Sequence, residues 1–206
     1  MPQIFALTQN IPNTSLGDGT FNGVLAGKSG ELAVAELHGK WYTSAYRGRL
    51  FVGANTTSGV TIPIATTTTA TFALYNPLGS GVNVEMVSCD VTPLTVTSVA
   101  ASIGLGIVTG LLVAPTSLTA ITPYASLLGG SAAPQAKIYS SAVLAAATTT
   151  YYPMFTFTAT SGLVTTLHHE FDGKLVVPPG TLVHIVATAA QTQASANSFV
   201  WAEYPL

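Results

Sequence analysis

From residue 50 onward, apolar and polar positions alternate along the chain. Val60, Ile62 and Ile64 alternate with Thr61, Pro63 and Ala65. A threonine run, residues 66–69, leads into Ala70-Thr71-Phe72-Ala73-Leu74-Tyr75. Threonine is β-branched and suits a half-exposed strand. The cluster Asn76-Pro77-Leu78-Gly79-Ser80-Gly81 is turn chemistry. Beyond it Val82, Val84 and Met86, with Ser88 next in line, share one face, while Asn83, Glu85 and Val87 share the other. Two alternating runs about a Gly/Pro turn predict a hairpin.

The C-terminal part repeats the pattern. Residues 163–171 read as a strand, Asp172-Gly173 as a turn, and residues 175–177 lead to a second turn at Pro178-Pro179-Gly180. Residues 182–187 form the next strand, 191–197 a polar loop, and 198–204 the last strand. Residues 94–114 carry Val96, Val99, Ile103, Leu105, Ile107 and Leu111 among glycines. Gly104, Gly106 and Gly110 would each cost a helix about 1 kcal/mol, so strands are predicted there. Residues 115–137, with Pro115, Pro123, Gly129, Gly130 and Pro134, read as a long excursion with little regular structure or a short helix over 124–128. Residues 138–147 fit strand and helix alike, and 151–158 alternate again. Upstream, residues 1–30 carry loop chemistry that fits an extended tail pairing with a neighbour as well as a frayed terminus. Gly39 and Gly48 limit any helix in residues 31–49 to a short one over 40–46. Many short strands without a βαβ rhythm predict an all-β, antiparallel jelly-roll sandwich with an N-terminal extended arm. Residues 1–52 are assigned to the arm with its docking segment and 53–206 to the sandwich domain.

Composition changes the picture of the surface. Charged residues are 7% of the 206, against about 25% in an average soluble domain, and mean hydropathy is +0.49. Serine and threonine must cover most of the outside, and such a surface loses little hydration when buried. This favours an oligomer over a monomer with a threonine-covered sheet face. A net charge of −2 offers no basic field for nucleic acid. Cys89 is the single cysteine, so no intrachain disulfide is possible, and its place in EMVSCDVT predicts a buried, inert thiol. Residues 1–16 lack the basic start and continuous apolar run of a signal peptide, so folding in a reducing cytosol is expected. The longest apolar run, residues 99–114, is interrupted by Ser102, Gly104, Gly106, Thr109 and Gly110, so no membrane span is expected.

The few charges are unevenly spread. Glu31, Glu36, Lys40, Arg47 and Arg49 fall in residues 30–52 beside Trp41, Tyr42, Tyr46 and Phe51, while residues 50–84 and 91–136 hold no Lys, Arg, Asp or Glu. Lys40, Trp41, Tyr42, Tyr46, Arg47 and Arg49 are therefore assigned to partner binding. Aromatics and Arg most often dominate interface energy, and Arg pairs bidentately with carboxylates. In the competing reading Trp41 and Tyr42 cap the sandwich core and the basic groups are solvated.

Candidate chemistry is thin. His168 and Glu170 would share a strand face, with His184 as a third ligand from a neighbouring strand. These are weak metal candidates. The segment from Gly173 to His184 is similar to the second half of the cupin motif, displaced by a residue on either side of Pro178 and Gly180, and the first half is missing. The expectation is no metal and no cofactor, with these groups at a subunit contact or on an exposed strand face. There is no Gly-x-Ser-x-Gly, Cys89 has no local His, and no phosphate-cradling loop carries a Lys. Glu85, Asp90, Glu170, Asp172 and Glu203 would make a glycosidase pair only by accident of folding. Trp41 and Trp201 read as packing residues. A protein that is not an enzyme is expected.

Three stretches carry a resemblance: ELHGKWYTSAYRGRLFVGAN, LYNPLGSGVNVEM, and DGKLVVPPGTLVHIVATAAQT with FVWAEYPL. Together and in this order they resemble virion structural proteins of tailed bacteriophages, over residues 31–206 and most loosely in the middle. The resemblance implies a jelly-roll subunit of the capsid cement or decoration type. It would be a homotrimeric knob on the capsid exterior with an arm on the major capsid protein, made in the host bacterial cytoplasm, and with neither nucleic acid nor membrane as partner. A trimeric head- or tail-fibre receptor-binding knob is the alternative, and a cupin-like metal-binding protein ranks below both.

Overall fold

A computed structural model describes residues 39–55, 58–95, 99–157 and 166–206. The expected N-terminal tail, Glu31, Glu36 and residues 163–165 lie outside them. In chain order the elements are α1 (Tyr42–Tyr46), β1 (Leu50–Ala54), β2 (Val60–Thr61), β3 (Thr69–Ala70), β4 (Ala73–Asn76), β5 (Val82–Pro93) and β6 (Ala101–Val108). They continue with β7 (Thr116–Ile121), β8 (Tyr124–Ala125), β9 (Lys137–Val143), β10 (Thr150–Phe157), β11 (Leu167–Glu170), β12 (Val176–Val177), β13 (Thr181–Ala187) and β14 (Ala194–Pro205).

The strands form two antiparallel sheets. One runs β11–β5–β14–β1–β8, with β12 also on β5 and β2 also on β14. The other runs β10–β6–β13–β4–β9, with β3 and β7 also on β9. The main core lies between them and includes Phe51, Phe72, Met86, Ile103, Leu105, Ile138, Phe171, Ile185, Phe199 and Trp201. Phe72 and Phe199 meet at 4.8 Å between ring centroids. Along β14 the inward positions Ser195, Asn197, Phe199, Trp201 and Glu203 are buried, the alternation expected of a strand with one face on a core. β13 is buried on both faces. Val183 and Ile185 join the main core, and Leu182 joins a second cluster with Tyr75, Val108, Leu111, Tyr139 and Leu144. A third cluster, Leu50, Val87 and Ala202, packs against Trp41 and Ala45 of the helical segment.

The β-sandwich expected from the alternation is present. Several details differ from the sequence reading. The hairpin expected about residues 76–81 is a crossing between sheets: β4 pairs with β13 and β9, whereas β5 pairs with β14, β11 and β12. Buried Asn76 holds that corner, its Nδ2 donating to the carbonyls of Val82 and Val177 at 2.9 Å each. Gly79 and Gly81 take positive φ there, +77° and +73°, which an L side chain adopts only with strain. The excursion expected over 115–137 contains strands β7 and β8, and the undecided stretch after it is strand β9. The expected polar loop over 191–197 ends at Ala194, where β14 begins. The expected boundary at 52/53 falls inside β1, whose Leu50, Phe51 and Val52 pair with Ala202, Trp201 and Val200. The compact unit spans Trp41–Leu206, because Leu50 and Phe51 are buried in the body.

Candidate functional site

The helical segment is built to present one face outward. α1 has no side-chain N-cap, and its C-terminus is closed by backbone instead. Gly48 N–H donates to Ala45 O at 3.0 Å and Arg49 N–H to Ser44 O at 2.8 Å, the paired bonds of a Schellman motif, with Gly48 at φ +66° in the left-handed position. Trp41 and Ala45 turn inward onto Leu50, Val87 and Ala202, and Ser44 Oγ lies 3.0 Å from Tyr204 OH. Tyr42 and Tyr46, four residues apart, turn outward, 47% and 55% exposed. Their rings stack at 6.0 Å and 14°. Arg47 is exposed beside them and Arg49 is half-buried, its carbonyl accepting from Glu203 N–H at 2.8 Å.

The six residues assigned to docking thus divide. Trp41 packs on the Leu50, Val87 and Ala202 cluster, whereas the competing reading had it cap the sandwich core together with Tyr42, which is exposed. Tyr42, Tyr46 and Arg47 form an outward patch, and Lys40 is exposed just before it. The sequence reading grouped the two tyrosines by composition alone; their i,i+4 spacing on a helix is the signal that could have placed them on one face.

The metal candidates do not converge. His168 and Glu170 lie on β11 in one sheet, and His184 lies on β13 in the other. The strand beside β11 is β5, so the expected third ligand from a neighbouring strand is a correction. His184 is fully buried, with Nε2 2.9 Å from Thr148 Oγ1. Burial pushes its pKa down to about 4. Among the described residues, no three His, Cys, Asp or Glu side chains come together as metal ligands.

A polar group that the sequence reading did not assemble does appear. The register sets Asp90 opposite both His168 and Ser198. His168 Nδ1 lies 2.6 Å from Asp90 Oδ1 and Nε2 lies 3.5 Å from Glu170 Oε1, while Ser198 Oγ donates to Asp90 Oδ2 at 2.9 Å. With a carboxylate at each ring nitrogen the imidazolium is favoured. The Asp90 hydrogen bond is the main cause raising the His168 pKa, with Glu170 adding to it and burial opposing. The hydroxyl bonds to the carboxylate and not to the imidazole, so in this arrangement His168 does not take the Ser198 proton as a base. The pairing of Asp90 with His168 was not legible without the strand register.

Other titratable groups serve the interior. His169 points the opposite way from His168, its ring centroid 4.8 Å from Phe171, 5.8 Å from Tyr152 and 6.0 Å from Phe155. Burial lowers its pKa, helped by the charges of Lys174 and His168. Cys89 is fully buried, and burial, with the Asp90 charge, raises its pKa well above the ordinary thiol value, which leaves it a poor nucleophile. Glu203 is buried and its two oxygens accept from Gln135 N–H, Ala136 N–H and Trp201 Nε1–H at 2.8, 2.9 and 3.1 Å. It acts as a structural clamp.

No helix among the described residues is long and apolar enough to cross a membrane. No protein-family model, curated protein or solved structure matches the chain.

Proposed function

We propose that this chain is a structural virion protein of a tailed bacteriophage, a capsid cement or decoration protein that binds the major capsid lattice as a trimer. The fold assigned to it is a jelly roll preceded by an arm. Strand order supports that fold. Taking β1, β4, β5, β6, β10, β11, β13 and β14 as strands one to eight, the two sheets contain the orders 1-8-3-6 and 2-7-4-5, those of two interlocked Greek keys. Of the remaining strands, β2 and β3 fall between the first and second, β7, β8 and β9 are an insertion between the fourth and fifth, and β12 falls between the sixth and seventh.

The observation that carries the docking role is the outward patch of Tyr42, Tyr46 and Arg47. It is an aromatic and basic patch on a chain with only 7% charged residues. Stacked tyrosines are rigid anchors with little side-chain entropy left to lose. A capsid surface that presents carboxylates complements Arg47. The test is decoration of emptied heads by purified protein. Arg47→Ala with Tyr46→Ala should keep the melting temperature and weaken head binding at least tenfold. Trp41→Ala should instead destabilise the isolated protein by about 2 kcal/mol, less than a full core truncation because Trp41 is only half-buried. Undiminished decoration by the Arg47/Tyr46 double variant at physiological salt would refute the docking role. Copy number per particle separates decoration from a fibre.

A further inference from the structure

We infer that the charge-free excursion between β6 and β9 is the face through which copies of this chain associate, with Leu112 and Val113 of one copy seated in a groove of the next. The inference deepens the trimer reading above and rests on it.

The protrusion is firmly rooted. Leu111 is buried in the cluster on the second sheet, and its N–H donates to Gly180 O at 2.8 Å. The next two residues emerge from it: Leu112 is 86% exposed and Val113 67%. A second apolar projection is Leu128, 90% exposed on a turn closed by Gly130 N–H to Leu127 O at 2.9 Å. Residues 91–136 contain no charged side chain, so this surface gives up few ionic hydration shells when covered.

The same chain carries a recess. An open groove of about 350 Å³ is lined by Ile121, Pro123, Pro134 and Ile138 among others, with Lys137 its one charged residue. Protrusion and recess are formed by different residues of one chain, so the contact between them can repeat head-to-tail, as the trimer reading requires. Such a contact closes into a ring when the rotation between copies allows.

Charge selects a second copy as the occupant. A partner bearing ordinary surface charges would bury them against Leu112 and Val113 with nothing to pair them. The chain's own excursion is a surface without such charges, and the one charged residue of the groove, Lys137, is exposed, so its flexible stem can keep the ammonium in water. Apolar projections that enter lipid are commonly flanked by Lys or Arg, and here the flanks from residue 91 to 136 have none.

Sedimentation equilibrium of the wild type, Leu112→Asp and Leu128→Asp tests the assignment. The wild type should run near three times 21.1 kDa at tens of micromolar. Leu112→Asp should run as the single chain and still unfold cooperatively, since its side chain is exposed within the chain, with a melting temperature lower only by what association contributes. Leu128→Asp, at the second apolar projection of the excursion, should raise the dissociation constant at least tenfold. A photo-crosslinker on Leu112→Cys, with native Cys89 buried, should attach to residues 132–139 of a differently isotope-labelled chain. A monomeric wild type, a trimer indifferent to both aspartates, or a crosslink confined to one chain would overturn the inference. So would a wild-type monomer that floats with neutral lipid vesicles. Head decoration is read separately. A monomer that still decorates heads removes this interface and leaves the docking role standing, and an intact trimer that does not decorate does the reverse.

Discussion

Replacing Glu203 tests whether a single carboxylate fastens the β7–β9 insertion to the sandwich. Its Oε2 accepts Gln135 N–H, and Oε1 accepts both Ala136 N–H and Trp201 Nε1–H. Glu203→Ala leaves all three donors without that acceptor. The Ala136 and Trp201 donors are buried, and each orphaned donor costs about 1–3 kcal/mol. The Gln135 amide is only partly buried and turns to water. The alanine variant should therefore lose about 3–5 kcal/mol, a large share of the stability of about 5–15 kcal/mol typical of a folded domain. Glu203→Gln is the finer probe. Its carbonyl can keep the Ala136 and Trp201 bonds, while its amide nitrogen meets the Gln135 N–H, a donor against a donor. One bond is lost, at a cost of about 1–3 kcal/mol. Urea unfolding followed by tryptophan fluorescence measures both, and hydrogen exchange at the Ala136 amide localises the effect. The expected order is wild type, then Gln, then Ala. A Gln variant within about 0.5 kcal/mol of wild type, the range of an ordinary surface change, would refute the clamp.

Gly104→Ala would set a Cβ onto the Tyr152 carbonyl across the β6–β10 ladder. Neither backbone can retreat without opening the pairing, so a loss of about 3 kcal/mol is expected, and a thermal melt within 1–2 °C of wild type on this scale would contradict it. Acid should weaken the fold through His184. Its folded pKa of about 4 lies below the ordinary histidine value of 6.5, so its contribution is complete above pH 6.5 and lost as pH falls toward 4, by roughly 3 kcal/mol in all. His184→Gln should flatten the unfolding free energy between pH 6.5 and 4, and an unchanged slope would count against the assignment. His169 adds in the same direction. His168, with its raised pKa, works oppositely, contributing below its unfolded pKa and losing that contribution as pH rises through the folded one.

What could be read from the chain follows from how local each feature is. The turns at Asp172-Gly173 and Pro178-Pro179-Gly180 are where the residues put them: Asp172 and Gly173 take φ +49° and +73°, and Gly180 takes +77°. Their signals are intrinsic to the residues. The short helix was legible from its flanking glycines, and Gly48 ends it. The corner at residues 76–81 was misread because a Gly/Pro turn between two alternating runs looks the same whether the second run pairs with the first or crosses to the facing sheet. What decides is long-range. Asn76 bonds to Val177, a residue with which it shares no local pattern. The excursion over 115–137 was misread for a related reason. β8 is two residues long and pairs with β1, far upstream, and β7 pairs along one edge of β9, a stretch whose own pattern did not choose between strand and helix.

The polar group at Asp90 depends on one irregularity in β5, and there the local pattern did hold a clue. Val84 and Met86 face inward, and so do Cys89 and Val91, which no unbroken alternation allows. The inward set changes parity at Val87. Across the ladder Val200 pairs with Ser88 and Trp201 with Met86, leaving Val87 as the extra residue of a bulge. Without it Ser88 and Asp90 would follow Met86 into the core, and Asp90 would be a buried carboxylate among Phe72 and Phe199. With it Asp90 reaches the outer face, where His168 and Ser198 meet it, and Val87 joins Leu50 and Ala202 under the helical segment. The spacing Val84-x-Met86-x-x-Cys89-x-Val91 states this phase change in the sequence, since polar Ser88 and Asp90 occupy the positions that unbroken alternation would bury. The bulge therefore links the two outer features of this sheet. It seats the segment carrying Tyr42 and Tyr46, and it sets Asp90 beside His168.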